Sequence, residues 1–119
     1  MKIATTKKGG AIDVGGIVDP ILSYFGKPWD KVTGKTRKED VVLCRHWIAW
    51  YIKHVYPQVG LNGIGLLLGC KSHATVLHAI RRINVELKIY KSRRGELEGL
   101  HQATGVIVFP CKDEEKNTD

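Results

Sequence analysis

Between Asp13 and Phe25 the apolar residues Ile17, Ile21, Leu22 and Phe25 fall at helical spacing, which marks one face of a helix. Pro20 stands inside the run. Proline is tolerated best in a first turn, so the helix is predicted to begin near Val18-Asp19-Pro20. Gly26 and Pro28 end it, and residues 26–35 read as a loop with one short turn. Thr36-Arg37-Lys38-Glu39 has the order of a capping box, a hydroxyl at the N-cap and a Glu three residues on. Behind it the longest helix is predicted, Asp40 to Tyr56. Val41, Cys44, Ile48, Ile52 and Val55 mark one side of it; Leu43, Trp47, Trp50, Tyr51 and His54 mark another. A helix apolar on two sides is central to its domain.

Pro57 stops that helix. Leu61 to Leu68 is short and apolar; its pattern alone also suits a buried strand, but Gly69 as a C-terminal stop and Ser72 as an N-cap favour a short helix. From Ser72 to Tyr90 the set Val76, Leu77, Ile80, Ile83 and Leu87 repeats every three to four residues, with Arg81, Arg82, Lys88 and Lys91 outside the stripe. Glu96 to Thr104 is expected as a last short helix and residues 105–109 as an extended segment. The pattern predicts an all-α bundle of about five helices: a flexible start over 1–12, a helical domain over 13–105 and a tail over 106–119 whose acidic end is expected to be disordered.

Length and charge narrow the function. A chain of 119 residues makes one domain. Its net charge is +7, unevenly spread. Residues 35–94 hold twelve Lys and Arg against Glu39, Asp40 and Glu86, whereas residues 95–119 hold six acids against two lysines. A basic middle suits a polyanion, because each cation placed on a phosphate releases counterions. Cys44, Cys70 and Cys111 are odd in number and far apart, and Met1 to Gly10 lacks the apolar core of a signal peptide. Reduced thiols in a cytoplasmic protein are expected. No apolar run approaches the roughly 20 residues of a membrane helix.

Short helix, glycine-bearing turn and amphipathic helix are the parts of a helix-turn-helix, whose second helix enters the major groove of DNA. Its first turn here presents Lys71, Ser72, His73, Ala74 and Thr75. His73 can donate or accept, Thr75 carries a hydroxyl and a methyl, and Ala74 offers a methyl suited to thymine. Rival chemistry is thinly supported. Cys70-x-x-His73 with His78, or Cys44 with His46, lacks the paired spacing of a zinc site, and no metal or other cofactor is expected. Ser72 and His73 are adjacent on a helix and do not face each other, and the acids gather in the tail, so an enzyme is not expected. Trp47 and Trp50 belong to an apolar helix and are assigned to the core rather than to base stacking; Trp29, in a loop, has no assignment.

Residues 18 to about 88 resemble the C-terminal DNA-binding domain of the bacterial replication initiator DnaA. The resemblance rests on Lys35-Thr36-Arg37-Lys38, on Arg45 in the long helix, and on the run Gly69-Cys70-Lys71-Ser72-His73-Ala74-Thr75-Val76-Leu77-His78-Ala79. It implies a helix-turn-helix of the Trp-repressor type that binds double-stranded DNA. Position by position it implies Arg37 in a minor groove, Lys53 on a phosphate, a basic contact at Lys71, and His73 and Thr75 on the recognition helix; Arg45 also falls on a family arginine, with a structural role as the alternative because its helix is apolar on two sides. With Lys35, Lys38, Ser72 and Ala74 these form the candidate DNA-binding set. Two departures limit it. Ser72 replaces a family aspartate and Ala74 a family hydroxyl, and a close base contact is worth about 1–3 kcal/mol of discrimination. No Gly-x-x-x-x-Gly-Lys-[Ser/Thr] loop is present, so neither nucleotide binding nor ATPase activity is expected. The expected function is sequence-preferring duplex binding at initiator-like boxes, by a stand-alone reader in control of replication; the alternative is a protein-interaction or transcriptional module on the same scaffold, with a protein partner.

Overall fold

The computed structural model describes residues 2–69 and 71–108. Among them the chain forms strands β1 (Ile3–Thr5) and β2 (Ala11–Asp13), then helices α1 (Gly15–Phe25), α2 (Trp29–Val32), α3 (Glu39–Val55), α4 (Leu61–Leu67), α5 (His73–Ile89) and α6 (Lys91–Thr104). The architecture is the expected all-α helix-turn-helix bundle, with one helix more than the apolar pattern suggested and a two-stranded hairpin at its start.

Helix α3 is the axis of the core. Trp47 through Ile52 are all fully buried, and full burial of a large apolar side chain contributes about 1.5–3 kcal/mol. It can be buried on two sides because α5 and α1 pack against it from different directions. The indole N–H groups find partners within the core. Trp50 Nε1 donates to Asn84 Oδ1 at 2.8 Å and Trp47 Nε1 to Glu96 Oε1 at 3.3 Å, while the two rings meet edge to face at 5.4 Å. Both tryptophans are therefore core residues, as their helical spacing implied. Cys44 lies in the same core, its thiol pushed up to about 12 by burial. No described helix is long and apolar enough to cross a membrane.

Residues 2–12 depart from the expected loose start. β1 and β2 pair antiparallel, Ala4 opposite Ile12, and Ala4 is buried. The hairpin turns through Lys7–Gly10, with Gly9 at φ 88°. It is seated on α4: the Cα of Gly63 lies so close to β1 that an added Cβ would stand 2.2 Å from the Thr5 carbonyl oxygen. Lys2 reaches back to Asp19 at 2.8 Å and lies 5.3 Å over the Trp29 ring, which gives that tryptophan its place between hairpin and bundle.

Three boundaries also differ. α1 begins at Gly15, a turn ahead of Pro20, because the Asp13 carboxylate accepts the Gly15 N–H at 2.9 Å and the Val14 carbonyl accepts from Ile17 and Val18. The missing Pro20 N–H leaves only the Gly16 carbonyl without its helical donor, at an exposed position. The capping box does not form. α3 starts at Glu39, and Thr36 Oγ1 accepts instead from Lys38 N–H at 3.4 Å in the preceding loop. α6 starts at Lys91 rather than Glu96. Its first turn is held by charge, not by apolar spacing: Arg93 bonds Glu86 and Glu96 at 2.8 and 2.9 Å, and Arg94 donates to the Leu87 carbonyl near the end of α5. Beyond α6, Val108 is buried and its N–H donates to His101 Nε2 at 3.1 Å, so the described part of the tail does pack on the bundle. Cys70, Cys111 and the acidic end over 112–119 lie outside the described residues.

Candidate nucleic-acid interface

The turn between α4 and α5 is set by two glycines. Gly65 lies beneath the returning chain, where a Cβ would stand 2.1 Å from the Lys71 carbonyl oxygen, and its own carbonyl accepts the Lys71 N–H at 2.8 Å. Gly69 takes φ 95° and meets the Thr33 carbonyl so closely that a Cβ would stand 2.0 Å away. Only glycine fits a positive φ and such an approach at once. Ser72 then caps α5. Its Oγ accepts the Thr75 N–H at 3.2 Å and lies 2.9 Å from Thr75 Oγ1, the side-chain cap its position implied.

The first turn of α5 is presented to solvent. Ser72, His73, Ala74 and Thr75 are all exposed, whereas Val76 is buried and anchors the helix from below. Val76, Ile80, Ile83 and Leu87 form the stripe that holds α5 on α3. Thus the side chains that face outward at the helix start are the ones that the spacing singled out.

Loop 33–38 lies across this turn. Gly34 is its fixed point: its carbonyl accepts from Lys71 Nζ at 2.9 Å and from Arg45 Nη2 at 3.3 Å. Arg45 also donates to the Val32 carbonyl at 2.7 Å and to that of Thr36 at 3.3 Å. Its half-buried guanidinium is thus engaged with the backbone of residues 32–36, in line with the structural alternative for Arg45. A planar fork with five N–H groups suits such a clamp. Burial presses its pKa below the ordinary range. Lys35, Arg37 and Lys38 project from the clamped loop and are exposed. Arg37 borders a hollow shared with His46 and Arg82. Burial, with help from Arg82, pushes His46 down to about 4.

Lys53 stands elsewhere, on the last turns of α3. It borders an open groove of about 620 Å³ together with His73, Asn62, Leu66 and Lys7. The candidate residues therefore fall into two groups around one helix start: Lys35, Arg37 and Lys38 on the loop tied to the turn by Lys71, and Lys53 with His73 in the groove. Asn62, Leu66 and Lys7 were missed. Leu66 is 59% exposed although it lies in an apolar run, and nothing in the pattern separates it from its buried neighbours. Lys7 belongs to Lys7-Lys8-Gly9-Gly10, a basic turn whose flanking β-branched residues were a usable hairpin signal.

Comparison with known proteins fits this geometry. The chain is similar to the chromosomal replication initiator protein DnaA of Bacteroides fragilis, 29% identical over 76% of this chain, and to those of Bacteroides thetaiotaomicron and Thermus thermophilus, each 32% identical over 74% and 73% of it. It spans about a fifth of these relatives, which it covers to 19%, 18% and 20% of their length. Residues 14–83, more than half the chain and the whole stretch from α1 through the exposed turn of α5, match the family described as the bacterial dnaA protein helix-turn-helix, and the chain belongs to that family.

Proposed function

We propose that this chain is a sequence-preferring reader of double-stranded DNA that acts in the cytoplasm on initiator-like boxes in the control of replication. The observation that carries the reading is the exposed first turn of α5 with a basic loop tied beside it through Gly34. In a helix-turn-helix that turn meets base edges in the major groove. His73, Ala74 and Thr75 read the bases. Ser72 lends its hydroxyl to the cap and stands at the same edge. Arg37 enters the adjacent minor groove. Lys35, Lys38 and Lys53 hold phosphates, and Lys71 adds its charge where it anchors the loop. Arg45 acts as a positioning residue. The role assigned is recognition without ATP hydrolysis, since these residues include no phosphate-cradling Gly-rich loop. A protein partner is a second reading, favoured by Val85, Ile89 and Tyr90, each more than half exposed toward the other end of α5.

Selection of bound sequences from a random duplex library, followed by gel shift at rising salt, tests the proposal. An enriched motif and a steep loss of affinity with salt are expected. No binding to any duplex at low salt would put the partner reading in front.

A further inference from the structure

The hairpin precedes the family match, which begins at residue 14, yet its tip stands at the edge of the candidate interface. The turn carries Lys7 and Lys8, both exposed, and no ion pair engages either among the described residues. It is held in place. The Lys7 N–H donates to the Gln58 carbonyl at 2.9 Å and Thr6 bridges Val59, so the tip is joined to the link between α3 and α4. The Lys7 side chain runs over Gly60, where an added Cβ would stand 3.1 Å from its Cγ. From there it forms one wall of the groove whose other walls include Lys53 and His73. Asn62 adds an amide and Leu66 an apolar surface, and no acid among the described residues borders the groove. A cleft lined by Lys7, Lys53 and His73 around an uncharged, mostly apolar surface, with one end at the recognition helix, offers cations to the phosphates and apolar contact to the sugars of a phosphodiester strand.

We propose that the hairpin tip is a second phosphate-binding element: Lys7, with Lys8 beside it, grips the duplex backbone that runs through this groove outward from the recognition helix. The inference rests on the DNA reading above. The tip supplies affinity and no base preference, because it offers point charges to phosphates and no groups to base edges.

The test is the salt dependence of duplex binding for the full chain, with the library-selected site and a scrambled duplex. Lys7→Ala/Lys8→Ala is compared with the charge-matched Lys88→Ala/Lys91→Ala, of which Lys88 lies about 22 Å along the α5 axis from His73 and Lys91 opens α6 beyond it. Two phosphate contacts contribute a slope near −1.8 in log affinity against log salt. The loss of affinity between 50 and 200 mM salt should therefore be about tenfold smaller for the tip variant than for the parent. The ratio of selected to scrambled affinity should stay constant. Both lysines are exposed and the tip is fixed by backbone bonds, so the thermal midpoint should not move. An unchanged slope in the tip variant, or an equal change in the distal pair, overturns the proposal. Failure of the parent to bind any duplex overturns the DNA reading and this inference with it.

Discussion

Replacement of Gly69 by alanine tests the loop clamp directly. The residue sits at φ 95°, and a Cβ there would stand 2.0 Å from the Thr33 carbonyl oxygen. The positive φ alone costs about 1–2 kcal/mol for a side-chain-bearing residue. Real Cβ contacts essentially never fall under 3.0 Å, so loop 33–36 must retreat by about 1 Å, which stretches the bonds from Lys71 and Arg45 to Gly34. Each is a bond from a charged donor in a half-exposed setting, and about 1 kcal/mol apiece is a cautious figure. The total is about 3–4 kcal/mol, or roughly 12–16 °C in thermal midpoint at about 4 °C per kcal/mol for a chain of this length. Gly95→Ala is the control. Gly95 lies in α6 with nothing near its missing Cβ, so that change should raise the midpoint, by about 0.5–1 kcal/mol in stability. Thermal unfolding followed by circular dichroism reads both. A Gly69→Ala protein that melts within about 3 °C of the parent would refute the close approach of loop and turn.

Four further outcomes follow from the same geometry. Arg37→Ala should weaken duplex binding and relax base preference beside the box; unchanged affinity and preference in a repeated selection would remove Arg37 from the interface. Thr75→Ala should alter base preference more than the salt slope, and the reverse pattern would make it a phosphate contact. Arg45→Met keeps the stem but strips the Val32 and Thr36 carbonyls of this donor and leaves Gly34 with Lys71 alone, so a loss of about 1–3 kcal/mol by denaturant titration is expected, together with weaker binding; full affinity at full stability would show that the loop holds itself. His46, pushed down to about 4 by burial and then by Arg82, His78 and Arg45, binds its proton in the unfolded chain near pH 6.5 but in the folded protein only near 4. Its contribution, at most about 3 kcal/mol, is present above pH 6.5 and lost as pH falls toward 4. His46→Gln should flatten stability over that window, and an unaltered pH profile would contradict the burial.

What could be read from the chain beforehand was the part encoded locally. Ser72 is a cap because its own hydroxyl reaches its own helix, and the stripe Val76, Ile80, Ile83, Leu87 needs no knowledge of what it packs against. α3 could be placed at the centre because its apolar residues cover two sides. The errors arose where distant residues decide. Thr36 and Glu39 have capping-box order, yet Arg45 holds the Thr36 carbonyl and the helix begins at Glu39 without a side-chain cap. The first turn of α6 depends on Arg93 meeting Glu86 across a helix junction, which an apolar period cannot register. Strands of three residues carry too few positions for alternation to stand out, and Ala4 is buried only because α4 lies beneath it. In the candidate site, the exposed turn of α5 was visible and a structural alternative for Arg45 was too, but its partners were not, since they lie nine to thirteen residues earlier.

The Gly34 carbonyl, shared by Lys71 and Arg45, makes the molecule a gauge of fixed span. One jaw is the start of α5 and the other is the loop that carries Arg37, and Lys71 ties the two directly. On a duplex, insertion of one base pair between the two contacted stretches moves the second about 3.4 Å along the axis and turns it by about a tenth of a revolution. A tethered arm would follow that displacement; a rigid jaw leaves one of its two contacts behind. On the proposed reading, spacing within the box becomes a recognised property in its own right, enforced by the Gly34 carbonyl that ties the loop to the turn.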